Sequence, residues 1–241
     1  MSLAQARPNI LLIQCDQMTA FALRSYGGTS AKTPNIDALG ADGTVFSNAY
    51  SNFPICVPSR ASMLTGQLAS RIEVWDNGAE LCASIPTVAH YLAAAGYQTI
   101  LCGKMHFIGP DQLHGFGERL TTDIYPADFS WTPDWERPGP PEAGSKITLR
   151  GVVEAGVCQR SLQIDYDEEV HHQAVRKLYD LARAPEGHPF FLTVSFTHPH
   201  NPFTTTREYW DRYDGEDLPS QTSPLRHCLR WDCPGRPESR S

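Results

Sequence analysis

An α/β fold with a largely parallel sheet is what this sequence predicts, and three stretches predict it. Asn9 to Cys15 is an apolar run that ends at Asp16. Tyr97 to Cys102 follows Gly96 and runs into Gly103-Lys104-Met105-His106. Phe190 to Thr197, rich in aromatic and β-branched residues, runs into His198-Pro199-His200. Apolar strands of this kind, separated by helical stretches, are those of a sheet buried between helices. The helices come in order between them. Thr33-Pro34-Asn35 opens a short one through Leu39, with Gly43 just beyond. Ser84-Ile85-Pro86 starts another that runs to Ala95 and stops at Gly96. From about Asp165 to Ala184, Val170, Ala174, Leu178 and Leu181 recur at helical spacing. Trp131 to Gly156, broken by prolines and glycines, is read as a loop or an excursion from the sheet.

The chain's 241 residues suffice for one substantial domain, and 41% hydrophobic with 20% charged residues is ordinary for a soluble globular protein. A net charge of −7, without a lysine/arginine run, speaks against a nucleic-acid partner, although local cations can still gather a small anion. No apolar run approaches the roughly 20 residues of a membrane helix. Met1 to Arg7 lacks the features of a secretory leader, so a cytoplasmic, membrane-free protein is expected. Seven cysteines without framework spacing fit reduced thiols.

In open α/β sheets ligands bind beyond the carboxyl ends of the strands. Asp16, Lys104, His106, His198 and His200 all fall there. The bland reading of each is a cap, a surface lysine or a structural histidine. Three strands ending in polar candidates outweigh it. His171 and His172 on the long helix are read as solvated and given no role. Cys56-Val57-Pro58-Ser59-Arg60 adds a cysteine ahead of a proline suited to a helix's first turn. A buried inert cysteine and a histidine-assisted thiolate are two readings of Cys56. Cys15, Cys82, Cys102 and Cys158 are read as inert.

C-x-P-S-R resembles the signature of the type I sulfatases, a family of the alkaline-phosphatase-like superfamily. Gly96-Tyr97-Gln98-Thr99-Ile100-Leu101-Cys102-Gly103-Lys104-Met105-His106 resembles its second signature. Trp75 to Glu80, Gly109 to Phe116 and Leu120 to Pro133 resemble the choline-sulfatase branch. The resemblance gives Cys56 a third reading: a formylglycine-generating enzyme converts it to an aldehyde whose hydrate attacks sulfur with one hydroxyl and expels sulfate through the other. By the same resemblance Arg60 stabilises that diol, and the helix near Pro58 points N–H groups at the anion. Asp16, followed by Gln17 where the family usually has a second acid, becomes with Cys56 a ligand of a divalent metal, calcium first and magnesium second. Lys104 and His106, two apart and so on one side of an extended chain, grip the sulfate. His200 is the general acid for the departing alkoxide, with His198 in reserve as a substrate-binding residue. Trp131 is the aromatic face for a quaternary ammonium and Asn77 its neighbour. The implied reaction is hydrolysis of a small-molecule sulfate ester, choline O-sulfate, to choline and sulfate.

The resemblance covers roughly Pro8 to Tyr213. Residues 1–214 are therefore read as the N-terminal part of a sulfatase catalytic domain. Residues 215–241, poor in core-forming residues, are read as a disordered or out-of-frame tail. Full-length relatives are longer, and the resemblance implies that their remainder supplies further metal ligands, a sulfate-binding lysine and a segment for homo-oligomers. Weak or absent turnover is expected of this chain, and vigorous choline O-sulfate hydrolysis lost on Cys56→Ala would overturn that. A phosphonate monoester or phosphodiester hydrolase on the same centre, or an inactive anion-binding remnant, are the alternatives.

Overall fold

The computed structural model describes residues 7–132, 134, 136, 150–184 and 187–213. Contacts divide the chain into two units, Met1–Thr19 with Phe46–Arg212, and Ala20–Val45 with Tyr213–Ser241. The tail 215–241 and most of the proline-rich stretch after Trp131 lie outside the described residues.

The larger unit holds a four-stranded sheet in the order β1-β5-β2-β3, with β1 at Ile10–Cys15, β2 at Gln98–Gly103, β3 at Glu118–Arg119 and β5 at Phe190–Phe196. Every pairing is parallel. Ile10 pairs with Phe191 and Cys15 with Phe196, while Gly103 pairs with Ser195, so β1 and β2 end level on either side of β5. A second, two-stranded sheet joins β4 (Gly156–Val157) to β6 (Thr204–Thr205). The unit's helices are α2 (Cys56–Thr65), α3 (Ala69–Ile72), α4 (Val88–Ala94), α5 (Arg150–Val153), α6 (Leu162–Arg183) and α7 (Arg207–Trp210). The smaller unit contributes α1 (Pro34–Asp42), preceded by two short 3-10 turns.

The strands form where the apolar runs predict them, and their burial shows which are central. Ile100, Leu192 and Val194 pack with Tyr166, Val170 and Ala174 of α6, covering one face of β2 and β5. Leu64, Ala89, Leu101 and Phe191 pack over the other. Each fully buried Leu or Ile contributes about 1.5–3 kcal/mol. The strand β1 departs from the expectation of a buried strand. It lies at the sheet edge, with Ile10 and Leu12 against the core but Leu11 46% and Ile13 58% exposed, because α6 packs over β5 and β2 rather than β1. An all-apolar run does not report whether both faces are covered.

Helix ends follow local chemistry. The helix α4 starts at Val88, later than the Ser84-Ile85-Pro86 signal suggests, because Thr87 and His90 form a reciprocal cap at its N-terminus. A single side chain does this work in the long helix. There Ser161 caps α6 by accepting from the Ile164 N–H at 3.2 Å, so α6 begins before Asp165. Gly103 closes β2 at φ +101°, and a Cβ there would run into the Ser195 carbonyl oxygen, so only glycine lets β2 lie this close to β5 at the point where Lys104 leaves the sheet.

Candidate active site

The level ends of β1 and β2 place Asp16 and Lys104 side by side. Their backbone N–H groups both bond to β5, Asp16 to the Phe196 carbonyl at 3.2 Å and Lys104 to the Ser195 carbonyl at 3.0 Å. The side chains meet as a buried ion pair, Lys104 Nζ against Asp16 Oδ2. Arg60 reaches the same oxygen from α2 at 3.2 Å. Its other guanidinium nitrogen is fixed by the Lys104 carbonyl at 2.7 Å, the Ser195 hydroxyl at 3.0 Å and Gln14 Oε1 at 3.2 Å. Burial alone would raise the Asp16 carboxyl; Lys104 and Arg60 outweigh it and hold it below the usual carboxylate range.

Cys56 is the first residue of α2, whose N-cap Ile55 has no capping side chain. Asn77 supplies the missing acceptor, its Oδ1 taking the Val57 N–H at 3.0 Å. Asn77 thus supports the helix that carries the cysteine. Cys56 Sγ lies 3.7 Å from Lys104 Nζ and 3.9 Å from Asp16 Oδ2. Burial pushes its thiol up, but His106 and Lys104 prevail over burial and Asp16 together and draw it below the ordinary thiol range. Cys102, buried in β2, shows the opposite outcome: desolvation pushes it up to about 12. The five described cysteines are all free thiols.

The expectation that Lys104 and His106 share one side of an extended chain does not hold. His106 sits at φ +59°, in the left-handed region, and reaches Cys56 through a turn. Asp123 holds that turn by accepting from Met105 N at 2.9 Å and His106 N at 2.6 Å, and is itself paired with Arg119 at 3.0 Å. The His106 ring is buried, and neither nitrogen has a hydrogen-bond partner of sound geometry.

Around this cluster stands an aromatic wall in which Tyr125, given no role by the motifs, joins the expected Trp131. The Tyr125 ring lies under Lys104 Nζ at 4.5 Å, and its centroid is 4.9 Å from that of His106, 5.7 Å from Trp131 and 6.2 Å from His200. Trp131 also stands edge-on to His106 at 6.0 Å. The structure therefore brings Asp16, Cys56, Arg60, Lys104, His106, Trp131 and His200 together, with Asn77 behind the helix start. It separates His198, whose Nδ1 pairs with Asp167 Oδ2 of α6 at 2.7 Å instead of joining the Cys56 cluster. His198 lines a cleft of about 1160 Å³ with Cys158, Asp167, His171 and Tyr209.

The metal reading fits the described residues poorly. Asp16 Oδ2 already faces two cations, and among the described residues no group of three or more His, Cys, Asp or Glu side chains is arranged to hold a metal. Calcium takes about 6–8 oxygen ligands. Asp16 and Cys56 alone do not make such a site.

A parallel α/β sheet with a cysteine at a helix start, set against a lysine, an arginine and a carboxylate at the strand ends, defines the class: an α/β protein with a cationic site at the carboxyl ends of its strands. The particular family follows from comparison with known proteins. The sulfatase family model matches residues 8–228, and the chain belongs to that family. It is 49% identical over 211 residues to a choline-sulfatase of Rhizobium meliloti, covering 86% of this chain and 41% of that protein. An arylsulfatase of Clostridium perfringens is 32% identical over 232 residues, covering 88% of this chain and 47% of its own length. Among solved structures, the phosphonate monoester hydrolase of Agrobacterium radiobacter superposes with a TM-score of 0.64 at 26% identity, covering 89% of this chain and 45% of that one. The chain thus spans less than half the length of these relatives, and its fold is the corresponding part of an alkaline-phosphatase-like sulfatase.

Proposed function

We propose that this chain carries the nucleophile centre of a sulfuric ester hydrolase whose substrate is choline O-sulfate. The observation that carries the reading is a charge count. Lys104 and Arg60 bring two buried cations to one carboxylate, Asp16, directly beside Cys56. A buried surplus of positive charge is costly unless an anion balances it. A thiolate at Cys56, or a sulfate ester bound there, supplies that balance.

Formylglycine at Cys56, made by a formylglycine-generating enzyme, would supply a hydrated aldehyde with one hydroxyl to attack sulfur and a second to release sulfate. The residues of this chain do the remainder. Lys104 and Arg60 hold the sulfate oxygens, Arg60 with its fork fixed by three acceptors. The start of α2 adds little beyond its dipole, because Asn77 takes the Val57 N–H, Pro58 has none and Ser59 donates to the Ile55 carbonyl at 2.9 Å. Burial, with Lys104 and Arg60, holds the His200 imidazole below its ordinary value, which favours the neutral form. An arriving anion offsets those cations, favours the imidazolium and prepares His200 to protonate the leaving alkoxide. Trp131 and Tyr125 offer aromatic surface to the trimethylammonium group. The 49% identity to a choline-sulfatase supports this choice of substrate.

The likeness to a phosphonate monoester hydrolase favours a second reading, in which the same cations hold a phosphonate ester. Turnover of choline O-sulfate and of a phenyl phosphonate monoester by the chain co-produced with a formylglycine-generating enzyme separates the two. The sulfatase reading expects slow release of sulfate that vanishes in Cys56→Ala. Faster cleavage of the phosphonate would replace it with the second reading.

A further inference from the structure

The loop after β5 ends in a backbone carbonyl that two side chains share. His200 Nδ1 lies 2.8 Å from the Asn201 carbonyl oxygen, and Gln163 Nε2 donates to the same oxygen at 2.6 Å. A carbonyl oxygen only accepts, so His200 must carry its proton on Nδ1. That is the tautomer which leaves Nε2 as the free nitrogen. Gln163 is unusual in its own right. It is 6% exposed and lies in the first turn of α6, on the stripe Gln163, Tyr166, Val170, Ala174 that packs inward. A buried amide costs stability unless it is used, and its Oε1 has no hydrogen-bond partner of sound geometry. The amide's orientation is settled by its neighbour, because only the NH2 end can face a carbonyl.

We propose that Gln163 is a positioning residue of the hydrolytic site: by gripping the Asn201 carbonyl it locks His200 in the Nδ1–H form and turns Nε2 toward the leaving-group oxygen. The amide acts through the carbonyl rather than on the substrate. Two donors converging on one oxygen fix its direction more tightly than the imidazole could alone, and the geometry persists when His200 becomes an imidazolium, because Nδ1–H is present in both states.

The proposal rests on the reading of His200 as the proton donor, and its test is chosen to be independent of turnover. Nitrogen-15 imidazole spectra of the 241-residue chain, with the His200 signals assigned through His200→Gln, report the tautomer directly. The wild type is expected to show His200 as Nδ1–H. Gln163→Met, or Gln163→Ala if the longer side chain prevents folding, is expected to shift the ratio at least threefold toward Nε2–H. Asn201→Ala, which keeps the backbone carbonyl, is expected to leave it unchanged. An Nε2–H signal in the wild type, or an unchanged ratio in the Gln163 variants, would overturn the proposal. A locked Nδ1–H tautomer in a chain given no hydrolytic activity by formylglycine would count against the functional reading alone and leave the positioning by Gln163 standing.

Discussion

His198 and His200 stand two residues apart, yet their surroundings pull them in opposite directions. Asp167 of α6 pairs with His198 and raises it above its ordinary value, prevailing over burial. Burial first, and then Lys104 and Arg60, lower His200. One histidine is biased toward its charged form against a carboxylate at the edge of a wide cleft; the other is biased toward its neutral form beside a pair of buried cations. The contrast shows that a histidine's chemistry here is decided by the element packed against it, α6 for His198 and the Asp16–Lys104–Arg60 cluster for His200, rather than by its place in the loop. The same lesson separates Cys56 from Cys102, where an identical side chain is drawn down by His106 and Lys104 in one place and pushed up by desolvation in the other.

The largest effect is expected from the cation cluster. Asp16→Ala leaves Lys104 and Arg60 buried without their carboxylate and should cost about 3–5 kcal/mol by urea denaturation. A loss below about 1 kcal/mol would mean that the two cations are not held by Asp16. Asp123→Ala should cost about 1–3 kcal/mol, because the Met105 and His106 N–H groups and Arg119 lose one shared acceptor. Weaker sulfate binding should accompany it as the His106 turn loosens.

Asp167→Asn sharpens the comparison through pH. The folded value for His198 lies above its ordinary 6.5, so its contribution is complete below that value and is lost as pH rises through the folded one. Asp167 is held below its ordinary 3.8, so its share is complete above that value and is lost as pH falls through the folded one. The pair therefore stabilises most between about pH 4 and 6.5. Thermal melts should show a larger penalty for Asp167→Asn at about pH 5.5 than at about pH 8.5, and an equal penalty at both would break the assignment. The smallest effect belongs to His171→Ala, an exposed position on α6, for which a change within about 0.5 kcal/mol is expected.

Much of this was legible in the sequence for a simple reason. Strand-forming runs are local, and the carboxyl ends of parallel strands are where ligands go, so Asp16 and Lys104 can be placed by counting along the chain. What was not legible depends on turns and on packing between distant segments. His106 reaches Cys56 through a left-handed residue held by Asp123, a geometry that alternation along a strand does not describe. The motif around Asn77 points to a substrate pocket and does not reveal that its side-chain carbonyl also caps α2. The resemblance ranks His200 above His198 but does not show what holds His198 away, because Asp167 lies 31 positions before it, on another element. Tyr125 lies in the Leu120 to Pro133 segment that carries the resemblance, but nothing in it says that the ring would lie under Lys104. Gln163 does carry a signal: extending the apolar stripe Val170, Ala174 back by helical steps reaches Tyr166 and then a glutamine, a polar residue on a buried face. The exposure of Leu11 and Ile13 has no signal at all, since an apolar run is the same whether or not its outer face is covered.

Lys104 and its neighbours form the proposed site for a sulfate group, while His198 belongs elsewhere. The rise in melting temperature on adding sulfate, against chloride at matched ionic strength, measures this directly. The account predicts a saturable rise for the wild type and for His198→Gln, and a response at least tenfold weaker in Lys104→Met. Equal responses in all three proteins, or a loss confined to His198→Gln, would contradict it.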